Sequence, residues 1–174
     1  DIFLDLKFHD IPNTVAQSVK AAANLGVWMI NVHTSGGSSM MRAAKEATTG
    51  LMDPPLIIGV TMLTSLSEKD VNELGIQDIS NQVVSLASLA KKNSLDGIVC
   101  SANDVRGIKE LLGKDFVTVT PGIRSSNSSK DDQSRVSTAR NAIENGSDYL
   151  VIGRPITQSA NPMKSLDSII KEIS

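Results

Sequence analysis

Cysteine is nearly absent from this chain of 174 residues, which carries Cys100 alone. One thiol can close no intrachain disulfide and leaves no cysteine-rich metal site, so a reducing compartment, the cytoplasm, is expected. Long apolar runs are missing too. The most apolar stretch, Leu56 to Leu63, is about eight residues against the roughly 20 that a membrane-spanning helix needs. No basic-then-apolar leader opens the chain. Surplus charge is also lacking: a formal net charge of -2 provides no field that would gather nucleic acid, and any bound anion must be held by local contacts. The two histidines, His9 and His33, have no carboxylate or cysteine partner at metal-ligand spacing, which argues for packed or solvent-facing rings and no metal. No low-complexity tract and no repeat longer than a strand and a helix is visible.

What is present is an ordinary globular composition, 40% hydrophobic and 21% charged, with short apolar runs alternating with longer helical patterns. That alternation is the pattern of βα units feeding a parallel sheet. Strands are predicted at Ile2–Lys7, Trp28–His33, Leu56–Leu63, Gly97–Cys100, Phe116–Thr120 and Tyr149–Ile152. Helices are predicted from Thr14 to Asn24 behind an Asn13 cap, from Ser39 to Thr48 behind a Ser38 cap, and at Ser67–Leu74, Ile79–Lys92, Asn103–Leu112, Ser137–Glu144 and Pro162–Ile173. Gly36-Gly37 reads as a tight turn, Met40-Met41 as core or interface filler, and Cys100 as the end of a strand at the mouth of the sheet.

These are about six units in series with no break in composition, so residues 1–174 are expected to form one (β/α)-barrel domain. A (β/α)₈ TIM barrel closes with eight strands, and the first two units are therefore expected upstream of Asp1, where the chain starts inside a strand.

Charge collects where strands end. In Leu4-Asp5-Leu6-Lys7-Phe8-His9-Asp10 the period-two alternation sends Phe3, Asp5 and Lys7 to one face and Leu4 and Leu6 to the other, with Asp5 and Lys7 roughly 7 Å apart at their Cα atoms. If the leucines face the helices, the charges face the barrel interior, and charges at the C-terminal mouth of a barrel strand read as catalytic. A solvated salt bridge on a strand edge would have the same spacing. A second strand ends in Gly153-Arg154, where a glycine lets the backbone approach an anion and an arginine offers a two-pronged charged donor; an ordinary turn with an exposed arginine is the plainer alternative. A third ends in Thr120-Pro121-Gly122-Ile123-Arg124, followed by a polar loop over Ser125 to Asp132 and then Gln133. A loop of that length is either a lid over a substrate or an uncommitted surface segment.

Taken in order and spacing, Asp5-Leu6-Lys7-Phe8-His9-Asp10-Ile11-Pro12-Asn13-Thr14, Leu63-Thr64-Ser65, Thr120-Pro121-Gly122-Ile123-Arg124 with Gln133, and Ile152-Gly153-Arg154-Pro155 resemble the bacterial orotidine 5′-monophosphate decarboxylases. The resemblance covers essentially the whole chain. It implies a cofactor-independent lyase of pyrimidine biosynthesis that converts orotidine 5′-monophosphate to UMP and CO₂. The family's centre is a Lys-Asp-Lys-Asp array, of which Asp5, Lys7 and Asp10 match three members. The first lysine and a ribose-holding acid belong to the two strands that this chain lacks.

By the same resemblance, Asp5 sits against the substrate carboxylate and Lys7 stabilises charge at C6 and delivers the proton. Asp10, Ile11 and Thr14 cross the interface of a homodimer with shared active sites. Arg154, Gly153, Arg124 and Gln133 hold the phosphate, and Thr64 and Pro121 are further substrate contacts. Two alternatives are a sugar-phosphate decarboxylase of the same superfamily, which generally uses Mg²⁺, and an inactive nucleotide-binding fragment.

Overall fold

The computed structural model describes residues 1–124 and 136–174. Six parallel strands form one sheet in sequential order: β1 (Phe3–Phe8), β2 (Met29–His33), β3 (Leu56–Val60), β4 (Gly97–Val99), β5 (Val117–Thr120) and β6 (Tyr149–Leu150). Between them run α1 (Pro12–Ala23), α2 (Gly37–Glu46), α3 (Glu68–Glu73), α4 (Ile79–Lys92), α5 (Ala102–Leu112) and α6 (Ala139–Glu144); α7 (Arg154–Thr157) and α8 (Pro162–Ile173) close the chain.

Both faces of the sheet are covered, as a parallel sheet requires. Ile30, Val32, Ile57 and Ile98 point outward into a core shared with Val19, Met40, Met41, Leu86 and Val105 of the helices. Met29, Ile58, Val60, Val99 and Val119 point inward and pack on one another. The sheet is strongly curled. Trp28, just before β2, meets Tyr149 of β6 edge to face with ring centroids 5.0 Å apart. In a flat sheet those strands, four positions apart, would be about 19 Å from each other. The arrangement is six consecutive strands of a (β/α) barrel, and a Cβ at Gly97 would collide with the Val117 carbonyl of the next strand.

Two aspartates placed just ahead of strands tie the ladder to the helices. Asp96 donates its backbone N–H to the Ile57 carbonyl of β3, while its Oδ2 accepts from Ile57 N at 2.7 Å and from Lys45 Nζ of α2 at 2.6 Å. Asp148 repeats the device on β5: its N–H donates to the Thr118 carbonyl, and its Oδ2 accepts from Thr118 N at 2.7 Å and from Lys109 Nζ of α5 at 2.6 Å.

Several boundaries differ from the expectations. Pro12 opens α1, with Ile11 as its cap and no side-chain cap bond, so Asn13 lies inside the helix; a proline at the first position needs no N–H partner. A 3₁₀ turn over Thr34–Gly36 precedes α2, which starts at Gly37, and Ser38 is therefore not a cap. β3 stops at Val60; just beyond it the Thr61 N–H and hydroxyl both donate to the Val99 carbonyl, at 3.3 and 2.7 Å. β6 stops at Leu150, short of the expected Ile152, and Arg154 begins a short helix. Leu4 packs against the helical core, but Leu6 is 60% exposed and lies where β1 loses its register between Leu4 and Phe8. Cys100 follows the C-terminal end of β4, as expected, and its side chain is fully buried in the core on the helical side of the sheet.

Asp148→Ala would leave the buried Thr118 N–H without its carboxylate acceptor and remove the charged partner of Lys109, whose ammonium keeps the Lys114 and Phe116 carbonyls. It is expected to lower the unfolding free energy by about 2–3 kcal/mol. Lys69→Ala, which removes only the exposed pair with Glu73 at 3.7 Å, is expected to change it by less than about 0.5 kcal/mol. Urea unfolding of both variants checks the contrast.

Candidate active site

The site begins with a fault in β1. Four residue steps from Leu4 to Phe8 face only two steps, Ile30 to Val32, on β2. Lys7 takes up the excess with φ of 51°, one of two non-glycine residues on that side of the backbone map among the described residues. The result turns Lys7 inward beside Asp5, and Lys7 Nζ stands 2.7 Å from Asp5 Oδ1.

Neither side chain is deeply buried, at 37% exposure for Lys7 and 42% for Asp5. The pair is steadied by Asn31 of β2, which is completely buried and donates from Nδ2 to the same Asp5 oxygen at 2.5 Å. Nothing in the motif-based reading pointed to Asn31. The available signal was an amide in the middle of an otherwise apolar strand, on the face shared with Met29 and His33.

Above the pair lies a cleft of about 250 Å³, lined by Phe3, Asp5, Lys7, Val60, Met62, Leu63, Thr64, Ser65, Val99, Val119, Pro121 and Val151. Every one of these comes from an inward position or from a C-terminal strand end. Its floor is apolar and its charge is confined to one side. Such a cleft can hold a flat, partly apolar ring with an anionic substituent turned toward Lys7, and hydrogen-bond donors act most strongly where water is excluded.

The expected site residues separate into groups. Asp5, Lys7, Thr64 and Pro121 share the cleft. Asp10, Ile11 and Thr14 do not line it; they lie exposed at the start of α1, with Asp10 Oδ1 accepting from Ile11 N at 2.6 Å. Gly153 and Arg154 also stand outside the lining, Gly153 exposed as the residue before α7 and Arg154 half-buried as its first residue. Arg124 is half-buried, donates from Nη1 to the Ile123 carbonyl at 2.8 Å, and has a buried Nε with no partner among the described residues. A buried guanidinium N–H in that condition is suited to an incoming anion. Gln133 and the expected lid over Ser125 to Asp132 lie outside the described residues.

His33 ends β2 with its ring 5.1 Å from that of His9. Burial, and then the positive charge of His9 and Lys7, hold its pKa below the ordinary value of 6.5. Among the described residues no three His, Cys, Asp or Glu side chains gather as a metal site, and no helix is long and apolar enough to cross a membrane.

The profile of the Orotidine 5′-phosphate decarboxylase / HUMPS family matches residues 1–169. The chain belongs to this family. It is 55% identical over 175 residues to the orotidine 5′-phosphate decarboxylase of Saccharophagus degradans, covering 100% of this chain and 74% of that protein. It is 55% identical over 171 residues to that of Dichelobacter nodosus, covering 98% and 75%. The crystal structure of the Lactobacillus acidophilus orotidine 5′-phosphate decarboxylase superposes with a TM-score of 0.83 at 41% identity, covering 100% of this chain and 75% of that one. The chain thus spans about three quarters of the length of these family members.

A histidine with a lowered folded pKa favours the folded state only while neutral. Its contribution is complete above the unfolded value and is lost as the pH falls through the folded one. The melting temperature is therefore expected to drop between about pH 7 and about pH 5, with part of that slope removed in His33→Gln. Calorimetric melts across the range decide it, and an unchanged slope in the variant would clear His33 of the effect.

Proposed function

We propose that this chain is an orotidine 5′-phosphate decarboxylase, converting orotidine 5′-monophosphate to UMP and CO₂ in pyrimidine biosynthesis without a cofactor, as a single-domain enzyme of the cytoplasm. The observation that carries the proposal is the Lys7–Asp5 pair at 2.7 Å on the charged side of an otherwise apolar cleft, in a chain 55% identical to proteins of that name.

In this reading the pyrimidine lies over Val60, Val99 and Val119, and its carboxylate is brought toward Asp5, where like charges repel. As the bond from C6 to the carboxylate carbon breaks, CO₂ leaves and the electron pair stays on C6. The Lys7 ammonium stabilises that charge and transfers its proton to C6; solvent then reprotonates Lys7. Thr64 and Pro121 border the ring. The phosphate is held by Arg154, the Gly153 N–H, Arg124 and Gln133, and this remote grip supplies binding energy that lowers the barrier at the ring. The unpartnered Arg124 Nε supports the phosphate assignment.

Asp10, Ile11 and Thr14 are read as serving the neighbouring site of a homodimer. Their exposure at the start of α1, outside the cleft of their own chain, supports that reading.

Loss of orotidine 5′-monophosphate absorbance on incubation with the protein, in EDTA, tests the activity and separates it from a Mg²⁺-dependent sugar-phosphate decarboxylase. Lys7→Ala should lower kcat at least about 100-fold, or about 2.7 kcal/mol of transition-state stabilisation, while UMP still binds. Retention of a tenth of the wild-type rate would remove Lys7 from the chemistry.

The shared site has its own test. Lys7→Ala and Asp10→Ala subunits, each inactive alone, should form mixed dimers with one intact and one doubly defective site. Equal mixing makes about half the dimers mixed, so about a quarter of wild-type activity should return. No recovery after demonstrated subunit exchange would assign Asp10 to its own chain's site.

A further inference from the structure

Lys7 is the strained residue of the site, and its strain has a visible restraint. The backbone at Lys7 is left-handed, a conformation that a residue with a long side chain adopts only when its surroundings impose it. Its N–H has left the regular β1–β2 ladder, and the acceptor it finds is Asn31 Oδ1 at 2.8 Å. The other end of the same amide donates to Asp5 Oδ1 at 2.5 Å, the oxygen that also accepts from Lys7 Nζ at 2.7 Å. One side chain thus restrains the backbone of the cation and the carboxylate of the anion at once. Asn31 is completely buried and does not line the cleft, so its influence runs through these two residues.

We infer that Asn31 is a positioning residue for the decarboxylation, holding Lys7 in its left-handed turn and Asp5 in its orientation so that Lys7 Nζ keeps one place over the cleft. The inference rests on the reading of Asp5 and Lys7 as the reacting pair. The residue type follows from the task. A short neutral side chain must accept from an N–H and donate to a carboxylate simultaneously, and the asparagine amide carries both functions on one planar head. An aliphatic residue would leave the Lys7 N–H unpaired; an ionised carboxylate would repel Asp5. Because the hydrogen bonds of Asn31 go to Lys7 and Asp5, its loss is expected to affect the chemical step more than phosphate binding.

The groups that titrate around Asn31 are Asp5 and Lys7 on β1, His9 just beyond β1, and His33 on β2 itself. On its other side β3 pairs Ile58 with it and carries no ionisable residue over Leu56–Val60. Replacement of Asn31 by aspartate therefore creates a pair of facing carboxylates with no second cation from β3. Such a pair shares a proton as the pH falls, and the shared proton restores a donor toward Asp5 while an oxygen remains for the Lys7 N–H.

The experiment uses the full chain with Asn31→Ala and Asn31→Asp, assayed with orotidine 5′-monophosphate across pH and with UMP for binding. Exchange of the Lys7 backbone amide is followed by NMR. For Asn31→Ala, kcat should fall about 10- to 100-fold with KM within about threefold of wild type, in keeping with a displaced reacting group. The Lys7 amide should exchange faster while the variant still melts cooperatively.

For Asn31→Asp, kcat should be at least as low as that of Asn31→Ala near pH 8 and should recover as the pH is lowered, because facing carboxylates bind a shared proton more readily than an isolated one. Neither wild type nor Asn31→Ala should show that recovery. A merely structural asparagine would not create it. The inference is overturned if an active wild type is matched within about threefold in kcat by Asn31→Ala, or if Asn31→Asp keeps the wild-type pH profile. A wild type without decarboxylase activity would instead defeat the functional reading. The Lys7 amide exchange would then still decide whether Asn31 restrains that residue, and unchanged exchange in both variants would overturn the restraint itself.

Discussion

The register of the parallel ladder decides which side chains face the inside of the curled sheet, and two aspartates fix it from below. Asp96 and Asp148 each bind the second amide of the preceding strand and a lysine from the helix outside. A strand shifted by one residue would send every inward side chain outward. Val60, Val99 and Val119 would then leave the cleft. The apolar floor therefore depends on two carboxylates at the opposite end of the strands. The division agrees with what barrel architecture generally shows, stability at the N-terminal end and chemistry at the C-terminal end.

At the upper end the physical difficulty is reversed. A lysine and an aspartate next to an apolar surface lose part of their hydration, and the attraction between them offsets that cost only when the geometry is held. Here β1 gives up its regular pairing to bring them together. The chain accepts a left-handed lysine and a broken register at one edge strand, and a buried amide from β2 closes the network. Strain located at the proposed reacting group, with regular structure elsewhere, is the distribution expected where function and folding compete.

Much of this was readable from residue order. The six strands follow from apolar runs separated by helical patterns, and α4 and α8 have the expected bounds because each sits between clear signals: Asp78 and Asn161 cap their first turns, and their apolar positions recur at helical spacing. The inward setting of Asp5 follows from alternation, while Lys7 reaches the same side through the register fault. Other features depend on contacts between distant segments. The left-handed Lys7 and its acceptor are 24 positions apart, so no local pattern announces the bulge; alternation alone would have placed Leu6 against the helices. Beyond the early end of β3, Thr61 turns its hydroxyl to the Val99 carbonyl of β4, a contact again invisible in a local run of apolar residues. Asn31 was overlooked because an apolar strand is read by its majority, while a single buried amide matters through its partners.

The chain has one tryptophan and one tyrosine, and they touch each other across the foot of the curled sheet. Their contact joins the approach to β2 with β6, strands that meet only if the sheet wraps around. The molecule thus carries its own optical gauge of curvature. Tyrosine-to-tryptophan energy transfer and the tryptophan emission colour together report whether the wall of the barrel is bent, without a label and far from the charged mouth. Folding of the scaffold can thus be read at the foot of the sheet, from two residues that do not line the cleft.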